Sequence, residues 1–149
     1  MGLIKVYTIG FAGKNAETFF NLLKKSGADH LIDIRLNNVS QLAGFTKKDD
    51  LRFFLKEILG WGYYHRLELA PTKDILNAYK KHNENWAIYE EKFIALMERR
   101  SIETSIKKDD ISNAVLLCSE HKPEYCHRRL VVEYLNKKWD SALEIQHLF

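Results

Sequence analysis

A repeated alternation of short apolar runs with segments of helical period constrains this chain more than any other feature. Residues 4–9 (IKVYTI), 30–34 (HLIDI), 63–67 (YYHRL) and 114–117 (AVLL) are too short for helices and read as strands. The run at 30–34 is nearly continuous in apolar character, which suits a parallel strand covered on both faces. Between the first two runs Gly10 to Gly13 turn the chain, Asn15 is placed to cap a helix reaching about Lys25, and Gly27 is placed to end it. Phe19, Leu22 and Leu23 fall on one side of that helix, so these elements read as a βαβ unit.

Helical period returns further on. After a loop over LNNVSQLAGFTKK, Asp49 or Asp50 is expected to cap a helix carrying Leu51, Phe54, Leu55 and Ile58. Pro71 and Thr72 start a helix over Ile75, Leu76 and Tyr79, and Asn83 or Asn85 starts another carrying Tyr89, Phe93, Leu96 and Met97. This places a helical insertion between strands three and four. Residues 101–112 read either as a short helix or as a charged connection, and Leu143, Ile145 and His147 alternate with Glu144 and Gln146 as a terminal strand. The tetrapeptide KKDD occurs twice but without surrounding similarity, so it is no repeat. The expectation is a single α/β domain over residues 1–149, three layers deep with a mostly parallel sheet. In such sheets ligands collect beyond the carboxyl ends of the strands.

A chain of 149 residues can bury a full core without staples, and two cysteines do not make a disulfide framework. Reduced thiols and a cytoplasmic location are expected. MGLIKVYTIG reads as a first strand and not a signal peptide, and no apolar run is long enough to span a bilayer. The formal charge of +3, from 23 basic and 20 acidic residues, is too slight to indicate nucleic acid. Basic doublets such as Lys80-Lys81 and Lys137-Lys138 fall near expected helix ends, where cations complement the dipole.

The chemistry gathers in AVLLCSEHKPEYCHRRLVVEYLN, residues 114–136, where a strand, a polar loop and a helix start follow one another. Unpaired backbone N–H groups and the helix dipole favour an anion there, and the same field lowers the pKa of a thiol such as Cys126. Against a reactive Cys126 stands the ordinary burial of free cysteine as a small core residue. A phosphatase-type loop is not present. It needs Arg six positions after the strand-end Cys, whereas that position from Cys118 is Glu124 and the first Arg is Arg128. Cys118, His121, Cys126 and His127 are residue types that zinc uses, yet adjacent ligands on a helix start seldom face one ion, so no metal ligand is assigned.

Four segments in order, TIGFAGK, LIDIRLNNVSQLAGF, YYHRLELAPTK and LLCSEHKPEYCHR, resemble the DUF488 family, small bacterial and archaeal proteins without an assigned function. The Cys126-His127-Arg128 triplet with its upstream Leu-Cys-x-Glu is the most specific part. Many members are similar to Thr-Ile-Gly-His-Ser in the first loop, where this chain has Phe11 and Ala12, and many have a Gly pair where it has Leu69-Ala70-Pro71. The resemblance supports the fold and the site's location and implies no reaction.

Two loops supply the expected site: Asp33, Arg35 and Ser40 after strand two, and Glu120, Cys126, His127 and Arg128 after strand four. Arg35 and Arg128 offer bidentate donors to phosphate or carboxylate, and Ser40 a neutral one. Asp33 either orients an arginine or pairs with Arg128 in an internal ion pair. Cys126, His127 and Glu120 are the catalytic candidates. The expected function is binding of an anionic, phosphate-bearing ligand such as a nucleotide, with turnover and cofactors left open. The alternative is a non-enzymatic nucleic-acid-binding or interaction module using Phe11, Phe45, Trp61, Tyr63, Tyr64 and Trp86 as stacking surfaces.

Overall fold

The computed structural model describes residues 2–39 and 44–149. Five strands form one all-parallel sheet: β1 (Ile4–Gly10), β2 (His30–Asp33), β3 (Gly62–His65), β4 (Ala114–Cys118) and β5 (Leu143–Leu148), in the order β3-β2-β4-β1-β5. All five β4 residues, AVLLC, are buried, as a central strand with helices on both faces requires. β1 and β2 are therefore not neighbours, as a simple βαβ unit would make them, because β4 pairs with both. Gly10 lies opposite Cys118 and Asp33 opposite Leu117, so three strands end at one edge.

Side chains of period two split the core into two layers. Tyr7, Ile9, Leu31, Val115 and Leu117 face α1 (Ala16–Ser26) and α2 (Lys48–Phe54), which contribute Phe19, Phe20, Leu23 and Leu51. Val6, Ile32 and Leu116 share the opposite core with Phe93 and Met97 of α4 (Trp86–Arg100) and Leu130, Val131 and Leu135 of α7 (His127–Lys138). Ile75 and Tyr79 of α3 (Lys73–Lys80) pack at the edge of that core. Three layers result.

Local chemistry sets most boundaries. Asn15 accepts from Thr18 N–H at 2.8 Å to cap α1, and Gly27 closes it at φ 86°. Thr72 caps α3 and Asn85 caps α4, while Asn83 instead takes a left-handed turn at φ 52°. Three expectations are corrected. α2 begins after Lys47 rather than at an aspartate cap, with Asp49 and Asp50 in its first turn, where their charge favours the dipole. β3 stops at His65, and Leu67–Leu69 forms a 3-10 turn whose carbonyls bond Arg100. Residues 101–112 hold two short helices, α5 (Ile102–Ser105) and α6 (Lys108–Ile111), that bury Ile102 and Ile111.

Candidate functional site

The strand ends become a site because the loops beyond them are tied to β4. Phe11 N–H and Ala12 N–H donate to the Cys118 and Ser119 carbonyls, and Ile34 N–H donates to Leu117 at 3.1 Å. The loop after β4 folds back over Gly10 so closely that a Cβ there would stand 1.5 Å from the Glu120 carbonyl oxygen. Only glycine admits that approach.

Arg128 holds this fold-back in place. Its side chain is fully buried, with Nε donating to Thr8 Oγ1 at 3.1 Å, Nη1 to the Glu120 carbonyl at 2.5 Å and Nη2 to the His121 carbonyl at 3.1 Å. No carboxylate pairs with it among the described residues, and it lies behind the wall of the cleft rather than in it. The geometry makes it a clamp between β1 and the loop after β4.

Asp33 pairs with Arg35 instead of Arg128. The Asp33 carboxylate, fully buried, accepts from Arg35 N–H at 3.1 Å, Nε at 2.9 Å and Nη2 at 2.8 Å, and from the Tyr63 hydroxyl at 2.5 Å. Burial works against the Arg35 charge, but the Asp33 fork outweighs it and raises the guanidinium pKa. Burial, then the neighbouring carboxylate, likewise push the Tyr63 phenol above its ordinary value, so it stays a donor. Nη2 also donates to the Thr46 carbonyl at 2.6 Å. Arg35 Nη1 has no hydrogen-bond partner among the described residues, and Arg35 lines the cleft beside Phe11.

The floor of the cleft is sulphur and imidazole. Cys118 ends β4, Cys126 is the N-cap residue of α7 and His127 its first residue. Cys118 Sγ lies 3.2 Å from His127 Nδ1, and His127 Nε2 lies 2.7 Å from the Ile34 carbonyl oxygen. A carbonyl only accepts, so Nε2 carries a proton and a neutral ring has its lone pair on Nδ1, while the Cys118 sulphur, only 3.9 Å from Nε2 as well, lies to the side of the ring. The Phe93 ring meets the imidazole edge-to-face at 5.3 Å. Burial pushes the Cys126 thiol up, yet bonds from Cys118 and His127 and the nearby Arg128 charge more than offset it, holding Cys126 below the ordinary thiol range. Burial and then Cys126 drive Cys118 the other way.

Above this floor opens a cleft of about 420 Å³. One wall carries Phe11 and Arg35; the other carries Tyr79, Trp86, Tyr89 and Tyr125. Trp86 is central to the aromatic wall, stacked on Tyr89 at 5.0 Å and edge-on to Tyr79 and Tyr125 at 5.4 and 5.6 Å. At the rim Lys80 Nζ donates to Glu120 Oε1 at 2.5 Å.

Arg35, Glu120, Cys126 and His127 thus converge on the cleft with Asp33 directly behind Arg35, whereas Arg128 sits one layer back and Ser40 lies outside the described residues. His121 does not join the sulphur cluster; it is exposed beside Lys14 at 3.1 Å. Sequence reasoning missed Lys80, Tyr79, Tyr89 and Tyr125. Lys80 stands in a basic doublet typical of a solvated helix end, and nothing local marks its partner 40 residues away. Of the aromatics named as stacking surfaces, Phe11 and Trp86 line the cleft, Phe45 and Trp61 pack beneath the other face of the sheet, Tyr63 is buried against Asp33, and Tyr64 is exposed beside His30.

Fold and site together define a three-layer α/β protein with a Cys–Cys–His floor at the carboxyl edge of a parallel sheet. The chain belongs to the family described as Domain of unknown function DUF488, whose model matches residues 15–135. That span holds Asp33, Arg35 and the whole Cys118-to-Arg128 segment. No curated protein and no solved structure matches the chain. Among the described residues no helix is long and apolar enough to cross a membrane.

Proposed function

We propose that the cleft binds an anionic, phosphate-bearing ligand with an aromatic ring, such as a nucleotide. The observation that carries this reading is the pairing of two cations, Arg35 and Lys80, with an aromatic wall around Trp86 in one cleft. Its volume falls within the usual range for small-molecule sites. Arg35 Nη1 and Lys80 Nζ supply charge-assisted donors to the anion, and a planar base lies against Trp86 and the exposed Tyr125. Catalytic roles belong to Cys126 and His127 on the floor, with Glu120 at the rim as the proton-handling group.

A nucleic-acid face has less support, because two cations of the basic doublets are held by the protein's own acceptors. Arg100 donates to the carbonyls of Leu67, Glu68 and Ala70, and Lys138 pairs with Glu98. In this reading residues 1–149 act as one domain in the cytoplasm, where Cys118 and Cys126 stay reduced.

Calorimetric titration with nucleoside mono- and diphosphates tests the reading. Saturable binding is expected, weakened roughly 10- to 100-fold by Lys80→Ala through loss of a charge-assisted hydrogen bond. Trp86→Ala should weaken nucleotides more than inorganic phosphate. Absence of saturable binding, or affinities untouched by both substitutions, would refute it.

A further inference from the structure

We propose that Cys118, Cys126 and His127 form a zinc site with three protein ligands and a fourth position open to the cleft. Their ligand atoms all lie within 4.8 Å of one another, and all three residues are buried. A tetrahedral zinc with bonds of about 2.3 Å to sulphur and about 2.0–2.1 Å to nitrogen needs ligand edges of about 3.6–3.8 Å. The 3.2 Å separation of Cys118 Sγ and His127 Nδ1 is within a few tenths of an ångström of that edge. With every pair of ligand atoms within 4.8 Å, a turn of the imidazole toward the sulphurs and closure of the longer edges by an ångström or less bring the set to it.

The surroundings fit a metal better than a chance thiol contact. Nε2–H of His127 donates to the Ile34 carbonyl, the outer bond by which metal-bound histidines fix their tautomer, and it leaves the free lone pair on Nδ1, the ring nitrogen nearer Cys118 Sγ at 3.2 Å against 3.9 Å for Nε2. The three ligands come from a strand end and a helix start, so rigid elements hold them. Adjacency of Cys126 and His127 argued against a shared ion in the sequence. The helix start removes that objection: Cys126 has extended backbone at φ −134°, ψ 138°, while His127 begins the helix. Buried Arg128, which lacks a carboxylate partner among the described residues, adds the positive charge that two thiolates favour.

Thiolate and imidazole together select zinc among common divalent ions. Nearby groups do not close the shell, since His121 is exposed beside Lys14 and Glu120 is paired with Lys80. All three ligands line the cleft, so the fourth position takes a water or an oxygen of the cleft's ligand. Three protein ligands and an exchangeable position are the arrangement of catalytic rather than structural zinc. Zinc binding does not depend on the nucleotide reading and is measured without any nucleotide; with the metal bound, Cys126 and His127 act through it rather than as a free thiolate and base.

The test uses the reduced, chelator-stripped 149-residue chain titrated with Co²⁺ and then Zn²⁺. These are the chain's two cysteines, so a thiolate-to-cobalt charge-transfer band reports this site even if surface histidines also take up cobalt. The expected result is a tetrahedral cobalt spectrum saturating at one ion per chain, bleached by one equivalent of Zn²⁺. Cys118→Ser, Cys126→Ser and His127→Gln should each lose it, with circular dichroism confirming the fold. In wild-type protein, Zn²⁺ should protect both thiols from alkylation, a readout that needs no variant. A folded wild-type protein with no charge-transfer band, or thiols alkylated equally fast with and without Zn²⁺, overturns the site.

Discussion

Breaking the Asp33–Arg35 pair should cost more stability than any surface change and should be largely repaired by removing both partners. Asp33 is fully buried and Arg35 only 4% exposed, reaching the cleft through Nη1 alone, so neither charge is well solvated when its partner is lost. Asp33→Leu leaves a buried guanidinium, and Arg35→Met leaves a buried carboxylate held by Tyr63. Each should destabilise by about 3–5 kcal/mol, a large part of the roughly 5–15 kcal/mol typical of a domain. The double variant buries no charge, and its main defect is the Tyr63 hydroxyl proton, which loses its acceptor at a cost of about 1–3 kcal/mol. Urea denaturation followed by fluorescence gives all three values, with midpoints falling by roughly 1–3 M in the single variants. The double-variant cycle should therefore be strongly non-additive. Single losses below about 1 kcal/mol, or a double loss equal to the sum, would refute a buried, mutually dependent pair.

Two further perturbations separate the clamp from the cleft. Arg128→Met should leave the Glu120 and His121 carbonyls unpaired and lower stability by about 1–3 kcal/mol or more, read from the same denaturation curves. A ligand-contacting Arg128 would instead lose nucleotide affinity with stability intact. His147, bonded to Thr8, is held below its ordinary pKa of 6.5, first by burial and then by Arg128, with Arg129 adding to this and Glu133 and Glu124 opposing it. The unfolded chain thus binds the proton more readily. This contribution is complete above pH 6.5, declines as pH falls through that value toward the lower folded pKa, and levels off below it. His147→Gln should flatten that part of the stability–pH curve, and an unchanged slope would show that His147 is not its source.

Strand positions and helix caps were legible because they depend on neighbours a few residues apart. Asn15, Gly27, Thr72 and Asn85 act through hydrogen bonds or backbone angles that their own segments determine. The Asp33 and Arg35 loop and the Cys126 loop were legible as a shared edge because parallel strands end together. Strand order was not, since nothing in residues 114–118 says that they separate β1 from β2. Arg128 was the harder case. A charged residue at a helix start usually faces solvent or ligand, and only the fold-back over Gly10 turns it inward. Lys80 illustrates the opposite error, a surface-type residue drawn to the site by Glu120 on a distant loop.

The position of β4 bears on how the chain is made. Strands β1, β2 and β3 all precede residue 66, yet β1 and β2 have no common partner until residues 114–118 arrive. A nascent chain leaving the ribosome therefore carries the segments of three strands and of α1 to α6 with a gap in the middle of the sheet. Closing it requires contacts 84 residues apart with β2 and 108 with β1, the kind that slow folding. The floor of the cleft cannot exist before that closure, because Cys118 belongs to the strand that fills the gap.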